Sequence, residues 1–178
     1  MNTIPTVDLS EYLSGDAGRM HQFAQALGKA YQEVGFVAVR NHGVPQSLVD
    51  DFYRSVQAFF AQPEAMKKKY EIEGLAGQRG YTSFGKEHAK GSKAADLKEF
   101  WQFGQTVTDN DPIQHEYPSN VEVAEMPEFN ATGVALYKSF EQSGRYLLRA
   151  IADFLELPND YFDAHIHNGN SILRAIHY

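Results

Sequence analysis

The stretch that decides the fold reads Gly-Phe-Val-Ala-Val-Arg-Asn-His-Gly-Val-Pro and occupies residues 35–45. Its first half is rich in β-branched and aromatic residues, which favours a short strand. The Asn-His-Gly that follows is typical of a tight turn, with Gly43 the residue best suited to a positive φ. Pro45 has the fixed φ that suits the first turn of a helix. The stretch therefore predicts a strand that turns directly into a helix.

The composition of the 178 residues is that of a globular protein, with 43% hydrophobic, 13% aromatic and 22% charged residues. A formal net charge of −7 argues against nucleic acid as a partner, because phosphates require a basic surface. We interpret the one dense basic run, Lys67, Lys68 and Lys69, as a solvated helix face. The absence of cysteine excludes disulfides, thiolate metal ligands and a cysteine nucleophile.

The sequence carries no targeting or membrane signal. Residues 1–5 lack the basic segment and apolar stretch of a secretory signal. No segment approaches the roughly 18 consecutive apolar residues of a membrane span. We therefore expect a cytoplasmic protein with no membrane partner.

Apolar residues spaced at three and four predict helices, and shorter β-type runs predict strands. The predicted helices cover residues 20–34, 48–60, 63–70, 131–157 and 161–167, and the predicted strands cover residues 4–9, 36–39, 99–104 and 171–178. Along the third strand, alternation places Phe100 and Gln102 on one face and Trp101 and Phe103 on the other. Residues 73–97 hold five glycines and no periodicity, which indicates a long loop of functional importance. Residues 109–127 are predicted to be mostly loop.

The last predicted strand has no following segment that could pair with it. A strand needs neighbours to satisfy its backbone groups. The predicted strands are few and widely separated, so we expect an incomplete sheet and a chain that ends at the start of a larger structure.

Read by its chemistry alone, the sequence contains no complete active site. Asp163, His165 and His167 form the only tight cluster of potential metal ligands; the two histidines share a face in a strand but not in a helix. No third ligand has an obvious position, although His177 is a conceivable one. Nucleophile-elbow, phosphate-loop and dinucleotide motifs are missing.

Several motifs in order carry a resemblance to a known family. These are Ile-Pro-Thr-Val-Asp-Leu at 4–9, the stretch at 35–45, Phe59-Phe60, Arg-Gly-Tyr at 79–81, Lys-Glu-Phe at 98–100 and Ile-Leu-Arg-Ala-Ile-His-Tyr at 172–178. Together they resemble the N-terminal region of iron(II)- and 2-oxoglutarate-dependent oxygenases of the isopenicillin N synthase type. The resemblance implies an α+β fold over residues 1–178, a helix-rich N-terminal region with the first strands of an incomplete double-stranded β-helix, or jelly roll.

The resemblance also implies Fe(II) and 2-oxoglutarate as cofactors and a small molecule as substrate. In that family a His-x-Asp pair and a distant histidine hold the iron, and an Arg-x-Ser pair holds 2-oxoglutarate. This sequence contains no His-x-Asp or His-x-Glu. We therefore expect no catalytic residue and no metal ligand in this chain, which alone would be inactive.

Four residues match family positions that contact substrate or cosubstrate. Arg174 and Tyr178 lie on a strand that faces the active-site cavity in relatives, and the alternative for them is an outward charge and a sheet aromatic. Arg79 and Tyr81 lie in a loop that covers the substrate in some members, and a structural role is their alternative. His42 matches a structural turn.

Three hypotheses remain open. The chain is the N-terminal portion of such a dioxygenase, or a truncated non-catalytic relative that binds a partner through its open sheet edge, or a small domain with a minor metal site at Asp163, His165 and His167. We also expect the isolated chain to self-associate or to be only marginally stable. Its catalytic jelly-roll core is largely missing, so its jelly-roll face lacks a partner. The substrate and the use of 2-oxoglutarate stay open.

Overall fold

The computed structural model describes residues 3–75, 77–87, 96–107 and 110–178. Their contacts divide the chain into two compact units. The first consists of Met1–Pro45 and Lys138–His167, and the second of Gln46–Tyr137 and Asn168–Tyr178.

The first unit contains strands β1 (Thr6–Asp8) and β2 (Ala38–Arg40), which pair in parallel. Its helices are α1 (Leu9–Tyr12), α2 (Ala17–Glu33), the second part of α5 (Pro127–Phe154) and α6 (Asp163–Ile166). Asp16 caps α2, because its carboxylate accepts a hydrogen bond from the backbone N–H of Arg19 at 2.9 Å. The buried core is formed by Val7, Leu9, Tyr12, Phe23, Ala24, Leu27 and Ala150.

The turn that follows β2 has the backbone geometry that its sequence predicts. Gly43 has a φ of +81°, and Asn41 also adopts a positive φ, of +50°. The imidazole Nδ1 of His42 accepts a hydrogen bond from the backbone N–H of Val44 at 3.2 Å. The hydroxyl of Ser143 donates to the backbone carbonyl of His42 at 2.5 Å. His42 therefore has the structural turn role expected of it.

The second unit contains helices α3 (Gln46–Phe60) and α4 (Glu64–Lys67), 3₁₀ turns at Lys68–Tyr70 and Pro112–His115, and the first part of α5. Its antiparallel sheet has the order β3 (Gly80–Thr82), β4 (Glu99–Gly104) and β5 (Ile172–His177). The core is aromatic: the ring of Phe59 lies 4.9 Å from Trp101 and 5.2 Å from Phe129, centroid to centroid. These contacts fix α3 against one face of the sheet.

Three sequence predictions are corrected here. The segment 73–97, predicted as loop throughout, contains β3, a strand too short to show periodicity; residues 76 and 88–95 of this segment lie outside the described residues. Lys67 is not on a solvated face but is 7% exposed, whereas Lys68 is about half-exposed. Finally, Leu9 does not belong to the first strand, as predicted, but begins helix α1. The last predicted strand pairs with the preceding β4 through all six residues of β5.

Candidate functional site

The sheet of the second unit has two chemically different faces. Glu99, Trp101 and Phe103 of β4 point towards the aromatic core, while Phe100 and Gln102 point to the opposite face. The register pairs Gln102 with Arg174, which places the Arg174 side chain on the face of Phe100. The alternation predicted along this strand is therefore present.

Arg174 lies against that face and is held there by three contacts. Its guanidinium carbon is 4.3 Å from the centre of the Phe100 ring, a cation–π geometry. Its Nε donates to the side-chain oxygen of Gln102 at 3.0 Å, and its Nη1 donates to Glu87 at 3.3 Å. Glu87 also forms an ion pair with Lys98 at 2.6 Å. The guanidinium is thus fixed in position and oriented over the sheet.

A cavity of about 600 Å³ adjoins the ring of Phe100, and we call it the Phe100 cavity. Its lining residues are Glu71, Ile72, Glu73, Gly74, Gly77, Tyr81, Thr82, Lys86, Glu87 and Phe100. The volume suits a small molecule, and the lining combines an apolar ring with hydroxyl and charged groups. Such a lining can bind and orient a ligand.

Tyr81 is fully buried, and its hydroxyl belongs to a charged network beneath the sheet. It donates to Glu99 at 2.5 Å, and Glu99 also accepts two hydrogen bonds from the Lys67 ammonium at 2.7 and 2.9 Å. Nδ1 of His177 lies 2.8 Å from the other Glu99 oxygen. Burial, followed by the hydrogen bond to the Glu99 carboxylate, raises the pKa of Tyr81 far above its usual range. Tyr81 is thus one of the residues next to the Phe100 cavity, but its hydroxyl is engaged by Glu99 on the opposite, core face of the sheet.

Arg79 is 1% exposed, and its guanidinium packs against the backbone of Gly104, where any Cβ would overlap it. Its Nη1 donates to the carbonyl of Gln78 at 2.7 Å, but Nε and Nη2 have no hydrogen-bond partner among the described residues. Burial lowers the pKa of this guanidinium. Tyr178, by contrast, is 82% exposed just beyond β5.

The cluster of Asp163, His165 and His167 does not form a metal site. Asp163 makes an ion pair with Arg149, with two hydrogen bonds of 2.5 and 3.3 Å, which holds the pKa of that carboxyl below its usual range. Asp163 and His165 lie in α6, and His165 packs against Tyr161. Within the described part of the chain, no group of three or more potential metal ligands occurs. This finding contradicts the small-domain metal hypothesis.

Two residues that shape this site are not indicated by the sequence. The basic run predicts a surface position for Lys67, and Thr82 lies in a segment predicted to be loop. One signal exists for Thr82, namely that it follows Tyr81 in the sequence. Side chains of neighbouring residues in a strand point to opposite faces, so Thr82 would lie on the face opposite Tyr81. No local pattern indicates that Lys67 reaches Glu99.

The fold and motifs together define the N-terminal region of a non-haem dioxygenase. Residues 4–125, more than half of the chain, match the family described as non-haem dioxygenase in morphine synthesis N-terminal. The chain belongs to this family, which confirms the resemblance predicted from the sequence.

Individual relatives agree with this assignment. A proline hydroxylase from Petromyces alliaceus is 29% identical over 98% of this chain and 55% of its own length. A solved structure of a 2OG-Fe(II) oxygenase family protein from Caulobacter crescentus is 37% identical with a TM-score of 0.87, covering 100% of this chain and 57% of that one. A full-length Neurospora crassa protein solved in complex with alpha-KG is 25% identical with a TM-score of 0.81, covering 98% and 54%. The chain thus spans about half the length of the relatives it matches.

These findings favour the dioxygenase hypothesis, and none supports the alternative of a non-catalytic partner-binding relative. No helix among the described residues is long and apolar enough to cross a membrane.

Proposed function

We propose that the chain forms the N-terminal part of a non-haem iron(II)- and 2-oxoglutarate-dependent dioxygenase that oxidises a small molecule. The observation that carries the proposal is that nearly the whole chain matches about half the length of such oxygenases, at 37% identity in one case. The antiparallel sheet β3-β4-β5 then supplies the first strands of a double-stranded β-helix. The face that carries Phe100, Gln102 and Arg174 would line its interior.

The described residues do not fit an iron centre, because they contain no group of three or more potential ligands. We therefore assign iron to no residue of this chain and derive no step through it. Fe(II) and 2-oxoglutarate are cofactors that we propose for the whole enzyme, with the iron ligands on residues other than those described.

The proposed contribution of this chain is to bind and orient the substrate or cosubstrate. Arg174 is fixed over Phe100 by Gln102 and Glu87, so its guanidinium is pre-organised to meet a carboxylate of substrate or cosubstrate. Tyr178 lies just beyond the end of the same strand and is proposed as a second contact. Arg79 and Tyr81 stay predictions as binding residues: the buried Arg79 has two nitrogens with no partner among the described residues, and Tyr81 lines the Phe100 cavity.

Self-association of the isolated chain also stays a prediction. No described strand pairs with the outer edge of β5, so this edge presents free backbone groups. Light scattering at several concentrations tests it, and a monodisperse monomer with a sharp cooperative melt would contradict it.

The coding sequence after codon 178 gives the first test of the proposed function. We expect a His-x-Asp motif within a few dozen codons and a further histidine downstream. A stop codon at this point, with no complementing partner gene, would count heavily against the proposal.

Turnover by the complete gene product gives the second test. We expect Fe(II)-dependent conversion of 2-oxoglutarate to succinate, and we expect Arg174→Met to raise KM for substrate or cosubstrate by about 10-fold or more, the typical loss of a charge-assisted hydrogen bond. Arg54→Met is the matched control, because Arg54 forms an exposed ion pair with Asp51. Equal KM values in the two variants would show that Arg174 does not contact the substrate or the cosubstrate.

A further inference from the structure

The guanidinium of Arg174 keeps hydrogen-bonding capacity that the described residues do not use. Its side chain is 35% exposed, so it is open to a ligand from solvent. Nε donates to Gln102 and Nη1 donates to Glu87, whereas Nη2 has no hydrogen-bond partner among the described residues. A guanidinium binds a carboxylate best through two parallel hydrogen bonds. The contact with Glu87 uses one nitrogen only, so it does not satisfy this geometry.

Glu87 is paired more closely with Lys98 than with Arg174. Its contact with Arg174 is 3.3 Å long, whereas a charge-assisted hydrogen bond is usually about 2.7–2.9 Å. The Lys98 ammonium lies 2.6 Å from the other Glu87 oxygen and 2.9 Å from Asp96. The contact with Lys98 is the main cause that holds the pKa of the Glu87 carboxyl below its usual range, and Arg174 contributes less. Glu87 therefore stays paired with a cation when it releases Arg174.

Two further contacts keep the guanidinium in place without Glu87. The hydrogen bond from Nε to Gln102 is 3.0 Å long, and the guanidinium carbon lies 4.3 Å from the centre of the Phe100 ring. Both partners belong to β4, whose register with β5 fixes them relative to Arg174. Release of Glu87 thus frees positive charge for a ligand and leaves Arg174 in position.

We propose that Glu87 is an internal carboxylate that a carboxylate of the substrate or cosubstrate displaces from Arg174, which makes Glu87 a specificity-determining residue. The incoming carboxylate accepts hydrogen bonds from Nη1 and Nη2, and Glu87 remains with Lys98. A neutral ligand cannot replace the charge of Glu87 at Arg174, so it does not displace it. The inference rests on the proposed function only in naming the source of this carboxylate. The exchange itself requires neither iron nor turnover.

Two carboxylate probes distinguish the two sources. 2-Oxoglutarate represents the cosubstrate, cyclohexanecarboxylate represents a substrate with an apolar body, and cyclohexanecarboxamide is the neutral reference. Each probe is titrated into the full chain and followed by saturation-transfer NMR. Glu87→Gln should tighten binding of one or both carboxylates by about 2- to 5-fold, the size of one partly exposed ion pair, and should leave carboxamide binding unchanged.

Two control variants separate this exchange from a general effect of charge. Glu73→Gln removes the same charge from the Phe100 cavity at a residue that is not a contact of Arg174, so carboxylate binding should change by less than about 2-fold. Arg174→Met should abolish the effect of Glu87→Gln. The double variant and Arg174→Met alone should therefore bind each carboxylate with equal affinity.

Weaker carboxylate binding in Glu87→Gln would overturn the proposal, because it would mean that Glu87 positions Arg174 for the ligand. Unchanged binding of both carboxylates, or an equal gain in Glu73→Gln, would overturn it as well. Where Glu87→Gln fails to fold, the wild type decides: the carboxyl carbon resonance of Glu87 should shift at saturating probe, and a resonance that stays in place would contradict the exchange. Absence of 2-oxoglutarate turnover by the complete gene product would count against the proposed function and leave these affinities as they are, so the two failures are distinguishable.

Discussion

The ammonium nitrogen of Lys67 lies 2.7 and 2.9 Å from the two carboxylate oxygens of Glu99, and both side chains are buried. The same ammonium donates to the backbone carbonyl of Phe60 at 3.1 Å. Glu99 is the first residue of β4, and Lys67 is the last residue of α4. The pair therefore joins the end of a helix to the strand that carries Phe100 and Gln102.

We predict that Lys67→Met lowers the free energy of unfolding by about 3–5 kcal/mol, because it leaves the Glu99 carboxylate buried without its cation. Denaturant unfolding monitored by tryptophan fluorescence measures this loss, since Trp101 lies two residues from Glu99 in β4. Lys68→Met is the control, with an expected change within about 0.5 kcal/mol, because Lys68 pairs with Glu64 on the surface. Similar losses in both variants would contradict a special role for Lys67.

Stability should also depend on pH through Glu99. Burial alone would raise the pKa of its carboxyl, but hydrogen bonds from Lys67, Tyr81 and His177 outweigh burial and hold the pKa below its usual 4.5. A carboxyl with a lower pKa in the folded state stabilises the fold above its unfolded pKa, and this stabilisation is lost as pH falls through the folded pKa.

The stability difference between the wild type and Glu99→Gln should therefore be constant above about pH 5 and should shrink as the pH falls below the usual carboxyl pKa of 4.5. Urea unfolding of both proteins at a series of pH values measures it. Taking the difference removes the contributions of the other carboxyls, several of which also have lowered pKa values. A difference that stays constant down to about pH 3 would show that Glu99 does not titrate as predicted.

Two helical glycines should respond to alanine in opposite ways. A Cβ at Gly28 in α2 would overlap the ring of Phe154, whereas one at Gly144 in α5 would meet no atom within 4 Å. We predict that Gly28→Ala destabilises by about 1–3 kcal/mol through overpacking. Gly144→Ala should stabilise by about 0.5–1 kcal/mol through helix propensity. Differential scanning calorimetry of the two variants tests this; melting shifts of the same sign would be inconsistent with the packing described.

The buried guanidinium of Arg79 should contribute little to stability or oppose it. Two of its nitrogens have no partner among the described residues, so replacement by methionine removes an uncompensated charge and keeps most of the volume. We expect Arg79→Met to be neutral or to stabilise by up to about 4 kcal/mol in chemical denaturation. Arg54→Met, at an exposed site, should change stability by less than about 0.5 kcal/mol. A loss above about 1 kcal/mol in Arg79→Met would mean that the guanidinium has a compensating partner.

The secondary structure is largely predictable from the sequence, because its signals are local. The cap at Asp16, the positive φ at Gly43 and the apolar stripe of α3 each depend on residues within a few positions of one another. Strand β3 is not predictable in this way, since three residues after a glycine-rich segment give no alternation to detect. Its strand character depends on pairing with β4.

The candidate site is predictable only in part. Resemblance identifies Arg174, but the contacts of this residue with Phe100 and Gln102 follow from strand register, which joins residues more than 70 positions apart. The Phe100 cavity, with Thr82 in its lining, becomes visible only when segments distant in sequence are brought together.

The sequence by itself determined the long helices, the turn at residues 35–45 and membership of the non-haem dioxygenase family, because these reside in local patterns and ordered motifs. The tertiary structure decided the environment of each charge. Lys67, a surface lysine by its local pattern, is the buried partner of Glu99, 32 residues away, and Asp163 is held by Arg149 rather than available to a metal. The physical reason is that desolvation and ion pairing depend on which distant segments pack together, and a local pattern does not encode that.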